Sequence, residues 1–254
     1  MNQVLKSVVI LLFILSSNAS YSADLQRSDI VKMLKQADKN HIANLRRKDL
    51  TGLDLSGLDF RNADLWGADL RGTNLSKSNL SGLVLDLTVM VAANFEGADL
   101  SNVSIFGVSM MRANLSYANL SGSRVIAIMD NANLSHANLS NVNWAADMKN
   151  QSMGLMRASL KKANLSGANI SNSKLGRAML RFADLSHANL RNTDLFAANL
   201  EGADLTEADL TGADFSSAKL TDANFTGARL QGAVFKDIKG KETVRELADK
   251  VFND

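Results

Sequence analysis

Apolar side chains recur along this chain every five residues. Counting from Leu45, the positions Leu50, Leu55, Phe60, Leu65, Leu70, Leu75 and Leu80 fall in register, and the series continues to Val125. Leu134, Leu139 and Trp144 follow one residue out of step, and from Leu155 to Phe235 the first register returns. None of these central positions is polar. Two residues before each centre the side chain is small, most often alanine. The residue just before it is commonly Asp or Asn, as in Ala63-Asp64-Leu65 and Ala163-Asn164-Leu165, and polar residues or glycine follow, as in Ser166-Gly167 and Glu201-Gly202.

Neither regular element accommodates this period when continuous. A helix turns ~100° per residue, so a stripe repeating every five residues winds around its surface. A straight strand alternates faces, so each successive leucine would flip to the opposite side. The small residue and the centre, two apart, do share one face of a short extended stretch. Both facts are satisfied if the chain turns a corner in every quintet. Gly, Asn, Asp and Ser outside the apolar pair are the residues that corners favour. The product is a coil with Leu and Ala inside and polar groups outside.

The quintets resemble those of the pentapeptide-repeat family over about residues 43–237. The resemblance implies an all-β fold, a right-handed quadrilateral β-helix of about ten coils with four quintets in each. Leucines twenty apart, such as Leu165, Leu185 and Leu205, would then stack. At ~4.8 Å per coil the rod is ~45–50 Å long. The lack of proline agrees with a backbone that needs its donors in every coil. Ladders such as Asn164-Asp184-Asp204-Asn224 are expected at the corners, bonding locally to turn backbone.

The remaining segments divide the chain. Residues 1–22 read as a signal peptide: Lys6, then the apolar run Val8 to Leu15, then small residues before cleavage sites after Ala19 or Ser22. That run is too short to span a membrane, which takes ~20 apolar residues, so the mature chain is expected to have no transmembrane segment. Residues 23–42 hold an N-terminal cap helix over 28–40, N-capped by Ser28 or Asp29, with Ile30, Met33, Leu34 and Ala37 on one face. Residues 238–254 are expected to form a C-terminal helix, with Val244, Leu247, Ala248 and Val251 in helical spacing. The repeat stumbles in two places, so residues 126–131 and 145–154 are expected to be irregular corners or short loops.

Candidate chemistry is sparse. The chain has no cysteine, hence no disulfide, thiolate ligand or lipid-anchoring cysteine. His41, His136 and His187 stand alone, without metal-ligand spacing, and no nucleophile elbow, phosphate loop or dinucleotide fingerprint occurs. The methionines, among them Met110, Met111, Met129, Met148, Met153 and Met156, are read as core filling rather than a copper(I) site. No catalytic residue, metal or cofactor is therefore expected, and the protein is read as not an enzyme.

Charge adds more. The net formal charge is +2, but the charges are segregated. Residues 49–99 carry eight acids and three bases, 149–191 eight bases and one acid, and 194–222 seven acids and one base. Stacking would place Arg157 above Arg177 and Lys161 above Arg181. With Lys162 and Lys174 these make a basic band, the candidate docking surface for a charged protein or envelope partner. A homodimer through the C-terminal end is a further expectation, since relatives in the resembled family pair that way. The whole reads as a periplasmic or secreted scaffold or interaction module of the bacterial cell envelope. A secreted effector is an alternative. Imitation of duplex DNA to protect a topoisomerase fits less well, because it needs a continuous acidic surface and a cytoplasmic address, and nucleic acid is not expected as a partner.

Overall fold

The computed structural model describes residues 25–146 and 157–244. Extended quintets stack in parallel, and each centre donates its backbone N–H to the next coil. Leu45 bonds Asp64 O at 2.9 Å, Leu165 bonds Asp184 O at 2.7 Å, and Leu185 bonds Asp204 O at 2.7 Å. The residue before the centre donates back, as Asp184 does to Ala163 O at 3.0 Å. Corners are closed by β-turns such as Ala168 N–H to Leu165 O, 3.0 Å. The turn's third residue takes a left-handed backbone, which is why Gly167 (φ +65°) suits that place. Four centres complete a coil: after Leu165, Ile170, Leu175 and Leu180, Leu185 stacks on Leu165.

The rod thus has four faces. The first runs through Leu45, Leu65, Leu85, Ile105, Val125, Trp144, Leu175, Leu195, Phe215 and Phe235. The second runs through Leu50, Leu70, Met90, Met110, Met129, Leu160 and Leu180 onward. From Leu45 to Phe225 every centre is 2% exposed or less. Full burial of a leucine or phenylalanine contributes ~1.5–3 kcal/mol. Polar residues at the small position are satisfied by backbone: the buried Thr73 and Thr193 hydroxyls donate to Leu50 O and Ile170 O of the preceding coil, both at 2.8 Å.

Both breaks in the period have a defined form. Coil registers are twenty residues up to Phe106↔Ile126 and nineteen from Val108↔Ala127 onward, as in Asn114↔Asn133. The missing residue is the left-handed corner residue after Ile126. The first two coils pair as the short strands β1 (Ala43–Asn44) and β2 (Ala63–Asp64), whereas here the chain does not turn but continues straight as β4 (Arg124–Ile128), parallel to β3 (Ser104–Ser109), with Gly107 bulged out of the pairing. The expected irregular corner over 126–131 is in fact the end of a strand followed by an ordinary turn. Met129, which the five-residue count had skipped, is a buried centre.

The second break is larger than the sequence indicates. Asn133 pairs with Asn164 and Ile128 with Ser159, thirty-one apart, so the coil holds 31 − 20 = 11 extra residues. Ala146 donates to Gly176 O (3.2 Å) as a corner residue, and Ala158 is the buried small residue of the next quintet. The insertion is therefore 147–157. The place above Met129 is held by Leu160, and position 155, where the five-residue count resumes, lies outside the described residues. The deletion of one and the insertion of eleven sum to ten, a multiple of five, so the period alone conceals them. Most of the irregular segment expected at 145–154 lies outside the described residues.

Helix α1 (Arg27–Gln36) closes the first coil. It is shorter than the expected 28–40 and begins after Gln26, whose N–H donates to Asp29 (3.0 Å). It stops because Asp38 Oδ1 takes the N–H groups of Asn40 (2.7 Å) and His41 (2.8 Å), a turn that competes with helix. Ile30 is fully buried, with Met33, Leu34 and Ala37 packed against the core. Arg27 donates to the open carbonyls of Asp54 (2.6 Å) and Ser56 (3.0 Å), which a preceding coil would otherwise satisfy. At the other end the ladder runs on to Lys239, which pairs with Lys219 of the coil before it, and a 3-10 turn, Lys241–Thr243, follows. The rest of the expected C-terminal helix and the expected signal peptide lie outside the described residues.

Candidate interaction surface

The corner rows use up most of the carboxylates and amides. Asn74 donates to Asp54 (3.0 Å), Asn94 to Asn74 (3.1 Å), Asn114 to Asn94 (3.0 Å) and Asn133 to Asn114 (3.1 Å). In the ladder expected from sequence, Asn164, Asp184, Asp204 and Asn224 each accept the N–H two residues on, at 2.9, 2.9, 3.0 and 3.1 Å. These side chains hold turns. Among the described residues no group of three or more His, Cys, Asp or Glu could hold a metal ion.

The basic band is partly neutralised. Lys161 lies 3.8 Å from Asp130. Arg181 pairs with Glu201 at 2.7 Å, and Glu201 also takes the Lys219 ammonium. The Lys219 hydrogen bond, with Arg181 adding to it, holds the Glu201 carboxyl below its ordinary range. Arg181 also covers Phe182 (5.3 Å) and Arg177 covers Phe196 (5.8 Å). Lys162 and Lys174 make no ion pair among the described residues. Lys161 stacks above Arg181 as expected, since Lys162 N–H bonds Arg181 O. Arg157 does not stack above Arg177: Ala146 holds that place, and Arg157 ends the insertion. It lines an open depression of about 300 Å³ with Gly107, Val108, Ser109, Ile126, Ala127 and Ile128, against the β3–β4 pair.

A second feature surrounds this straightened corner. Val84, Leu87, Val89, Phe106, Met111 and Ile128 are between 37% and 54% exposed and belong to three consecutive coils on the first and second faces. Two breaks of the general pattern cause the exposure. Valine stands at 84 and 89, where most quintets have Asp or Asn, and leucine stands at 87, where most have glycine or a polar residue. Leu87 adopts φ +60°, while the corresponding residues above and below, Gly67 and Gly107, are glycines at +67° and +69°. Among the described residues it is the one aliphatic side chain larger than alanine in that backbone region.

Asp86 lies within the patch, between Trp66 and Phe106 on one outward row. It accepts the Phe106 N–H and a Ser104 hydroxyl bond, but its Oδ1 is buried and has no partner among the described residues. Burial pushes its carboxyl above the ordinary range, and no cation offsets this. Asp69, by contrast, is held low by the hydrogen bond from Arg71. Trp66 carries Arg46 and Arg47 over its ring at 4.6 and 5.0 Å. Sequence alone places Trp66 and Phe106 on one row but passes over Asp86, because acids are so common in the repeat. The signal for it was present in the aliphatic residues at 84, 87 and 89.

Comparison with known proteins agrees with this architecture. The family described as pentapeptide repeats matches in eight copies, covering residues 43–67, 68–105, 93–125, 158–195 and 198–237. The gap between 125 and 158 contains both breaks. HetL, a pentapeptide repeat protein involved in heterocyst differentiation regulation from the cyanobacterium Nostoc sp. strain PCC 7120, is 29% identical. The match covers 85% of this chain and 94% of that one, with a TM-score of 0.53. A trypsin-treated form of QnrB1, a plasmid-mediated fluoroquinolone resistance protein, is 17% identical over 77% of this chain and 91% of its own, with a TM-score of 0.48. No curated protein matches the chain.

Proposed function

The chain belongs to the pentapeptide-repeat family, whose members are typically non-catalytic, and on that premise we propose that it is an exported, non-enzymatic scaffold of the bacterial cell envelope that works by binding a protein. The rod in this reading is a right-handed quadrilateral β-helix. The observation that carries the proposal is the cluster of exposed apolar side chains on three consecutive coils around the straightened corner. Contiguous exposed apolar side chains rimmed by polar ones are what interaction sites present. Lys162 and Lys174, unpaired on the same two faces, supply a charged margin.

Export is the part drawn from the first 22 residues, with Lys6 and the run Val8 to Leu15. Among the described residues no helix is long and apolar enough to cross a membrane. Imitation of DNA is disfavoured because Asp59, Asp69 and Asp209 are paired with Arg61, Arg71 and Arg191, which breaks up any continuous acidic track. Fractionation followed by mild crosslinking and affinity purification tests the proposal. It expects a periplasmic protein with a reproducible protein partner. Retention in the cytoplasm, or no partner under those conditions, contradicts it.

A further inference from the structure

We propose that the apolar patch around Asp86 is a docking site for a protein segment presenting aliphatic side chains and one lysine or arginine, the cation entering between Trp66 and Phe106 to pair with Asp86. The inference rests on the scaffold reading and names the partner's chemistry. Trp66 and Phe106 are two coils apart on one row, a separation of ~9.6 Å at the spacing of parallel strands. Asp86 lies between the two on that row, and this stretch of the row is the slot proposed for the cation. Its Oδ1 is buried without a hydrogen-bond partner among the described residues, and none of their cations neutralises the carboxylate. Arg46 is committed to Asp64 at 2.8 Å and contributes nothing to Asp86. A half-buried, unneutralised carboxylate on a row with two aromatic side chains selects a cation over an anion or a neutral group.

Leu87 supplies the second argument. A side chain in the left-handed region is strained, and glycine occupies the equivalent place in both adjacent coils. Leu87 is also 54% exposed, so the folded chain gains little from it. A strained, exposed leucine beside Val84 and Val89 contributes most when a partner covers it.

Trp66 gives the readout, because the other tryptophan, Trp144, is fully buried. The full chain is titrated with an eight-residue peptide alternating leucine and lysine, and separately with one alternating leucine and glutamate. A saturable change in tryptophan emission is expected with the lysine peptide, and binding at least tenfold weaker with the glutamate peptide. Asp86→Asn and Leu87→Gly should each weaken the lysine peptide tenfold or more, Leu87→Gly without lowering the melting temperature. Asp222→Asn, remote from the slot, should change nothing. Equal binding of the two peptides, unchanged affinity in Asp86→Asn, or sedimentation showing a second copy on this face would overturn the proposal. If an envelope partner is recovered normally by Asp86→Asn yet lost in Lys162→Glu, the scaffold reading stands and the Asp86 site falls.

Discussion

At the scale of single residues, each outward side chain is either enlisted by the turn that carries it or left for something else. Asp69 and Asp86 show the difference, and it has opposite signs in pH. Asp69 is held low by Arg71, so its contribution is present above the ordinary aspartate pKa of about 3.9 and is lost as pH falls through the depressed value. Asp86 is held high by burial, so the folded state loses stability as pH rises through the window above about 3.9, and does not regain it at higher pH. Asp86→Asn should accordingly raise stability at pH 7 by about 0.5 kcal/mol, with the gain disappearing at pH 3 in thermal melts. A variant that melts lower at pH 7 would show that the charge is compensated. Arg27 has a different role, since its guanidinium satisfies the carbonyls of Asp54 and Ser56. Arg27→Ala should cost about 1–2 kcal/mol, with faster amide exchange confined to the first coil.

At the scale of the quintet, the sequence is nearly a complete description. The apolar centre, the small residue before it and the left-handed corner residue after it dictate an extended segment and a turn, and the structure repeats them from Ala43 to Lys239. Legibility ends where residue counting and stacking separate. Met129 was invisible as a centre because losing the corner residue puts it four residues after Val125. The count resumes in phase at position 155 because an eleven-residue insertion and a one-residue deletion together add a multiple of five. Only the hydrogen-bonded register, nineteen and then thirty-one, distinguishes these cases. The Asp86 site was hidden for a related reason: its meaning comes from neighbours twenty residues away in the chain. The insertion boundaries yield a prediction. Removing residues 147–157 joins Ala146 to Ala158 and makes Trp144-Ala145-Ala146-Ala158-Ser159-Leu160 an ordinary quintet step. The shortened chain should keep its circular dichroism spectrum and melt within a few degrees of the parent. Loss of the folded spectrum would place the insertion's ends elsewhere.

At the scale of the whole molecule, the rod is a one-dimensional stack in which each coil contacts only its neighbours. Its charged bands are joined by pairs between coils, such as Arg46 with Asp64 and Arg181 with Glu201, and exposed pairs of this kind each contribute little. Stability therefore resides in the stacked centres, and the surface is free to carry binding features. The straightened corner, the exposed aliphatic residues and the start and end of the insertion all lie on the first and second faces.

Those placements depend on which residues stack across the long coil, and the absence of native cysteine allows a clean test. Ser135 and Ser166 are thirty-one residues apart but adjacent on one corner row, where the neighbouring His136 N–H bonds Ser166 O at 2.9 Å. Their backbones should lie ~4.8 Å apart, within reach of a disulfide. Oxidation of the double variant Ser135→Cys, Ser166→Cys should close a disulfide rapidly, while Ser135→Cys combined with Leu155→Cys, at the twenty-residue spacing, should close slowly or not at all. Rapid closure at 135 and 155, with none at 135 and 166, would contradict the register on which the candidate surface is built.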